Sequence, residues 1–175
     1  PMKALDKNGR VLYIGSFSKT LSPGLRIGWI VGPEPVIERL SDIKMQTDYG
    51  SSSLSQRVAA EWLTSGLYQK HLENVREQLK IRRNFVLHVL KTELEGLAEW
   101  SVPAGGFFIW LKILPPVSMK TLYAKSLSKG ILFNSGAIYG QERGDYMRLS
   151  YAFASCEDLK KGITQLSGLI KMLSG

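Results

Sequence analysis

The sequence has a single cysteine, Cys156, and only two histidines, His71 and His88. One cysteine excludes an intrachain disulfide and fits a reducing cytoplasm. The histidines stand alone, with no second ligand at metal spacing, so they read as surface or helix-packing residues and no metal site is expected. No apolar run approaches the roughly 18–20 residues of a membrane span, so no membrane partner is expected. The start, Pro1-Met2-Lys3-Ala4-Leu5-Asp6, lacks the apolar stretch of about 7–15 residues that a signal peptide carries. Acidic residues are scarce as well: 15 Asp and Glu against 23 Lys and Arg leave a net charge of +8. Such an excess favours anionic partners where the basic residues gather. Here they are spread, with local clusters at Lys80, Arg82 and Arg83 and at Lys160 and Lys161. No nucleic-acid motif accompanies them, so they read as a solvated surface.

What is present suits a soluble globular chain. An apolar content of 44% over 175 residues is enough to bury a core. Val11, Leu12, Tyr13 and Ile14 predict a strand, and Ile27, Trp29, Ile30 and Val31 a second. Beyond Pro33 and Pro35, the apolar residues Val36, Ile37, Leu40 and Ile43 recur at helical spacing. Ser53, with Gln56 three residues later, predicts the cap of a helix that stops near Gly66. Leu72, Val75, Leu79, Val86, Leu90 and Leu94 form one stripe, predicting a long helix from about 67 to 95 with Gly96 past its end. Phe107 to Leu111 is apolar on both faces and reads as a covered central strand. A helix is expected over 119–129, a short strand at Ile131-Leu132-Phe133 and another over 146–153. Ser155 precedes a final helix with Leu159, Ile163, Leu166, Ile170 and Leu173 on one face. The order after residue 96 predicts a small α+β domain with helices on a sheet.

Two places carry chemistry. Between the first two strands lie Ser16, Ser18, Lys19, a Pro-Gly turn and Arg26. A lysine forms a Schiff base only as the free amine, and its ordinary pKa of about 10.4 must then be lowered by burial or a cationic neighbour. Arg26 is such a neighbour if the loop folds back. Two hydroxyls and a planar guanidinium also suit a phosphate dianion. Amine plus phosphate clamp is what pyridoxal 5′-phosphate (PLP) requires. By spacing alone, an ordinary polar loop with an exposed lysine serves as well, because Ser-x-Ser-Lys is short and common. The second place is Arg148, inside an otherwise apolar strand. It pairs with a core carboxylate, lies on a wet alternate face, or grips the carboxylate of a ligand. Gly105-Gly106 allows close backbone approach or simply turns the chain. Asn134-Ser135-Gly136 reads first as a turn.

The run Ser16 to Trp29, S-F-S-K-T-L-S-P-G-L-R-I-G-W, resembles the PLP-lysine segment of class I/II aminotransferases of fold type I. It is most similar to the branch of 2-aminoadipate-type aminotransferases and MocR regulators, which join a GntR-type DNA-binding domain to an aminotransferase-like domain. The resemblance implies an α/β, PLP-dependent transferase-like fold. Residues 1–66 would end the large cofactor domain, and 67–175 would hold the linking long helix and a small α+β C-terminal domain. It implies that Lys19 holds PLP as a Schiff base and acts as the catalytic base, with Ser16, Ser18 and Arg26 on the phosphate. Y-M-R-L-S-Y-A resembles the strand whose arginine, here Arg148, binds the substrate carboxylate. Gly106 matches a Gly-Gly-x-Phe element near the substrate, and Asn134 is placed at the same mouth. Tyr49, Ser51 and Ser52 match a region near the dimer interface. The implied activity is amino transfer from an amino acid to a 2-oxo acid, in a cytoplasmic homodimer. The alternative is the effector domain of a MocR/GntR-type regulator that meets DNA only through an upstream domain. On either reading the sequence is expected to be the C-terminal portion of a longer protein and inactive as an enzyme by itself. The family's pyridine-pairing aspartate, ring-stacking aromatic and first phosphate loop precede the matched region.

Overall fold

A computed structural model describes residues 1–48, 50–140 and 144–175. Tyr49, singled out above, lies outside them. The chain divides into two compact units, Pro1–Asn74 and Val75–Gly175. The division falls inside a long helix, whereas the expected boundary of 66/67 coincides with that helix's first residue.

The first unit is built on a hairpin. Strands β1 (Tyr13–Ser16) and β2 (Gly28–Val31) pair antiparallel, with Tyr13 opposite Val31 and Ser16 opposite Gly28. Two helices follow, α1 (Glu34–Thr47) and α2 (Ser53–Thr64). Pro35 sits in the first turn of α1, where its missing N–H costs nothing. The cap of α2 is Ser52, not the expected Ser53. The Ser52 hydroxyl accepts from the Ser55 amide at 3.2 Å, and Gln56 instead donates to the Ser51 carbonyl at 3.3 Å. Three serines in a row, Ser51 to Ser53, offer the same capping chemistry, so sequence alone misplaces the register by one. Gly66, at φ +77°, ends this stretch. Among the described residues of this unit only Phe17 and Ala59 are buried hydrophobics.

Helix α3 (Leu67–Leu94) enters the second unit, which forms a two-layer α+β sandwich. Strands β3 (Ala98–Trp100), β4 (Phe108–Ile113), β5 (Asn134–Ser135) and β6 (Tyr146–Ser150) lie in the antiparallel order β3-β4-β6-β5. Helices α4 (Met119–Leu127) and α5 (Cys156–Ser174) complete it. One core joins Val86, Leu90 and Leu94 of α3, Ile109 and Leu111 of β4, Met147 and Leu149 of β6, and Ile163 and Ile170 of α5. The Ser167 hydroxyl donates to the Glu93 carbonyl at 2.6 Å, tying α5 to α3. Ser155 caps α5 by accepting from the Asp158 amide at 3.0 Å.

Three expectations are corrected. β4 is central, but only Ile109, Leu111 and Ile113 are buried; Phe108, Trp110 and Lys112 lie on its other face. Its large aromatic residues made that face read as core when it is an open aromatic surface. Ile131-Leu132-Phe133 is not a strand: Phe133 fills the core, and pairing begins at Asn134, opposite Arg148. β6 stops at Ser150, and Tyr151 to Phe153 bend away toward the cap of α5. Strand β3, with Trp100 opposite Leu111, went unforeseen because three residues carry too little periodicity to register.

Candidate functional site

In the first unit, the loop between β1 and β2 is closed by its own backbone. The Phe17 carbonyl accepts from the amides of Thr20, Leu21 and Ser22, and the Phe17 amide donates to the Ile27 carbonyl at 3.1 Å. Phe17 is the loop's anchor. Its ring is buried, 4.9 Å from Trp29 and edge-on to Tyr68 at 5.4 Å. The Tyr68 hydroxyl donates to Thr20 Oγ1 at 2.9 Å. With Phe17 turned inward, Ser16 and Ser18 turn the other way. Ser16 Oγ accepts from the Ser18 amide at 3.0 Å and lies 2.9 Å from Ser18 Oγ. Trp29 can lie across the hairpin because its cross-strand partner is Gly15, where a Cβ would fall 2.2 Å from the indole.

Arg26 adopts the left-handed conformation, φ 54° and ψ 35°, the only non-glycine residue with positive φ among the described residues. That conformation costs a non-glycine residue on the order of 1 kcal/mol, and such strain gathers at functional sites. The turn Pro23–Leu25 enforces it, with the Arg26 amide donating to the Pro23 carbonyl at 3.4 Å and Nη1 to the same oxygen at 3.2 Å. Ser16, Ser18 and Arg26 thus line one open cavity of about 640 Å³, bounded by Trp29 and by Ser41 and Lys44 of α1. Two hydroxyls and an exposed guanidinium at one mouth form a donor set that fits a phosphate dianion. Lys19 is exposed in the same loop, and its side chain makes no hydrogen bond or ion pair with a described residue.

In the second unit, Arg148 projects from the open face of the sheet. Its guanidinium carbon lies 3.9 Å from the centre of the Phe108 ring and 5.2 Å from that of Tyr139. Its Nε is buried without a hydrogen-bond partner, and among the described residues no carboxylate pairs with it. Trp110, its cross-strand neighbour, stacks on Tyr146 at 5.6 Å and meets Tyr139 edge-on at 5.5 Å. Asn134 is the neighbour on the other side and donates through Nδ2 to the Tyr139 hydroxyl at 3.4 Å. Arg148 and Asn134 therefore share one end of the sheet. Gly106 lies elsewhere, in a turn facing α3, and its carbonyl accepts from the Tyr151 hydroxyl at 2.6 Å. Burial pushes the Tyr151 hydroxyl above its ordinary pKa, and the nearby Arg83 charge opposes that.

Phe17, Trp29, Tyr68 and Tyr139 were missed from sequence. The first had a visible signal, a lone aromatic inside a polar loop. The others act through contacts distant along the chain. Among the described residues no group of three or more His, Cys, Asp or Glu is placed to hold a metal ion, and no helix is long and apolar enough to cross a membrane.

The chain shares the fold of the type I PLP-dependent transferases, as its superposition on solved aminotransferases shows. The family model for aminotransferase class I and II matches residues 2–166, and the chain belongs to that family. Among solved structures, it superposes on 98% of its length with a Pyrococcus horikoshii kynurenine aminotransferase, at a TM-score of 0.90 and 33% identity, covering 43% of that chain. It also matches the α-aminoadipate aminotransferase LysN of Thermus thermophilus, solved with N-(5′-phosphopyridoxyl)-L-leucine. There the TM-score is 0.84 and the identity 30%, over 93% of this chain and 42% of that one. Among curated proteins, it is 71% identical over 174 residues to the uncharacterised HTH-type transcriptional regulator YdfD of Bacillus subtilis, which is 99% of this chain and 36% of the relative. It is 45% identical to the HTH-type transcriptional regulator NorG of Staphylococcus aureus, over 97% of this chain and 38% of the relative. The chain spans little more than a third of the length of these curated relatives.

Proposed function

We propose that this chain is the C-terminal part of the PLP-binding effector domain of an HTH-type transcriptional regulator. The reading is carried by the loop geometry: two hydroxyls and a strained arginine at one cavity mouth, with an unpaired lysine in the same loop. Ser16 and Ser18 would donate hydrogen bonds to the cofactor's phosphate, and Arg26 would add its guanidinium fork. Lys19 would hold the cofactor covalently through Nζ. Bound there, the cofactor supplies an electron sink beside the amino-acid Cα. Arg148 would hold the effector's carboxylate, since its Nε is desolvated and unpaired in the structure, a state that costs free energy until an anion arrives. Phe108 fixes the plane of that guanidinium from one side. Asn134 would border the effector, whereas Gly106 lies away from it in the turn facing α3. The regulator class follows that of the curated relatives, which are HTH-type transcriptional regulators, and contact with DNA would pass through a domain upstream of the matched region. We place the protein in the cytoplasm as a homodimer.

The second reading is amino transfer to a 2-oxo acid, favoured by the likeness to solved aminotransferases. Lys19 Nζ, once displaced by the amino acid, would then move the proton at Cα. One experiment separates the two. The full-length protein is loaded with cofactor, given amino acids, and followed both for operator binding and for 2-oxo acid release. The regulator reading expects amino acids to change DNA affinity without multiple turnovers, and Arg148→Lys to abolish the response. Sustained turnover with unchanged DNA affinity would replace it with the enzyme.

A further inference from the structure

The basic cluster near residue 80 is not a uniform solvated surface. Arg82 is a structural residue: its Nε donates to the Tyr151 carbonyl at 2.9 Å and Nη2 to the Ala154 carbonyl. The other cations differ. Arg76, Lys80 and Arg83 recur at positions i, i+4 and i+7 of α3, which places them along one face of the helix. Together with the Ala104-Gly105-Gly106 turn and Tyr151 they line an open cavity of about 560 Å³ within the second unit.

The polar groups around this cavity are almost all donors. Arg83 is held at its rim, with Nη1 donating to the Pro103 carbonyl at 3.0 Å and Nη2 to Asn84 Oδ1 at 2.9 Å. Among the described residues Arg76 and Lys80 have no carboxylate or other side-chain partner. The turn's amides, those of Ala104, Gly105 and Gly106, donate to no acceptor among the described residues. Its Gly106 carbonyl is already occupied by the Tyr151 hydroxyl. Gly106 takes φ +90°, which glycine adopts without strain, and such turns present successive amides outward. Arg76 and Lys80 repel each other one turn apart, a cost that an anion between them removes.

We propose that this cavity binds a multiply charged oxyanion of the phosphate-ester or polyphosphate class, at a site separate from Arg148 and from the Lys19 loop. The unbonded Arg76 fork matches phosphate oxygens bidentately, Lys80 supplies a mobile point charge, and Arg83, whose Nε and Nη2 already hold Asn84 Oδ1, adds a fixed positive charge at the rim. Arg76 and Lys80 are exposed and unbonded, so replacing them leaves the fold intact.

The test is calorimetric titration of the full chain with inorganic pyrophosphate at low ionic strength. In the Arg26→Gln background, which removes the phosphate-fitting fork of the Lys19 loop, one saturable site per chain is expected. There the double variant Arg76→Gln, Lys80→Gln should weaken it at least tenfold. Arg148→Gln should leave it within twofold. Absence of saturable binding, equal affinity in the double variant, or loss of binding in Arg26→Gln would overturn the proposal. So would tighter binding of citrate than of pyrophosphate at the same residues, which would make the ligand a carboxylate. Duplex DNA bound through Arg76 and Lys80, with no pyrophosphate bound, would overturn it as well.

Discussion

The two units carry their candidate chemistry on opposite kinds of support. In Pro1–Asn74 the lysine loop hangs on a two-stranded hairpin pinned by one buried ring, Phe17, while Ile14, Ile30 and Val31 stay exposed. In Val75–Gly175 the arginine stands on the open face of a sheet whose other face is a closed core. An isolated two-stranded hairpin is marginal, whereas a sheet backed by helices is stable by itself. Stability in the first unit therefore rests on a few aromatic contacts and turn bonds, and in the second on apolar burial. The same difference sets the local freedom of the two chemical groups. Lys19 is unpaired and exposed, which suits the covalent role proposed for it. Arg148 is held against a ring, which suits the proposed recognition of a planar carboxylate.

Substitutions can break this contrast, beginning with the core. Leu111 is fully buried in β4. Leu111→Ala should cost about 2–5 kcal/mol in denaturant unfolding of the second unit, through lost transfer energy and a residual cavity. An effect under about 1 kcal/mol would mean that the core is not closed. Arg148→Lys should next weaken carboxylate-ligand binding by roughly 2–4 kcal/mol, because lysine cannot present two parallel donors. Cofactor affinity should hold. Calorimetry of both ligands with the full-length protein checks it.

Gly15→Ala probes the other side of the comparison. The new Cβ would meet the Trp29 ring at 2.2 to 2.5 Å, so the indole must leave its place. A loss of about 1–3 kcal/mol is expected, with a changed near-ultraviolet dichroism of Trp29 and no change in protection of the β4 and β6 amides. The smallest effect concerns acid. Asp6 accepts from Lys3 Nζ at 2.9 Å and from the amides of Arg10, Val11 and Asn8, and these bonds, led by Lys3, hold its carboxyl well below the ordinary carboxylate range against a partial burial cost. A lowered folded-state value means a contribution fully present above the unfolded value of about 3.9 and lost as pH falls through the folded one. Asp6→Asn should flatten that acid-side dependence in a pH titration of the first unit's stability.

The contrast also explains what was legible in the sequence. Helices α3 and α5 were readable because Val86, Leu90 and Leu94, and Ile163, Leu166 and Ile170, face a real core and repeat at its period. Caps at Gly66, Gly96 and Ser155 were readable because each answers a local need of the backbone. The aromatic face of β4 misled, since Phe108 and Trp110 look like core residues while they flank a charged group. Ile131 and Leu132 misled for the same reason, as apolar residues that pair with no strand. In the hairpin, the polar residues advertised the loop, but Phe17's part depends on Tyr68, which follows two intervening helices. The positive φ of Arg26 had no sequence signal, for arginine rarely adopts it.

The most direct test of the Lys19 loop as a cofactor site is chemical. Full-length protein is incubated with PLP, reduced with borohydride, digested and mapped by mass spectrometry. The account predicts one pyridoxyl group per chain, on Lys19, and its loss in a variant carrying both Ser16→Ala and Arg26→Gln. A label on another lysine, or undiminished labelling in that variant, would contradict it.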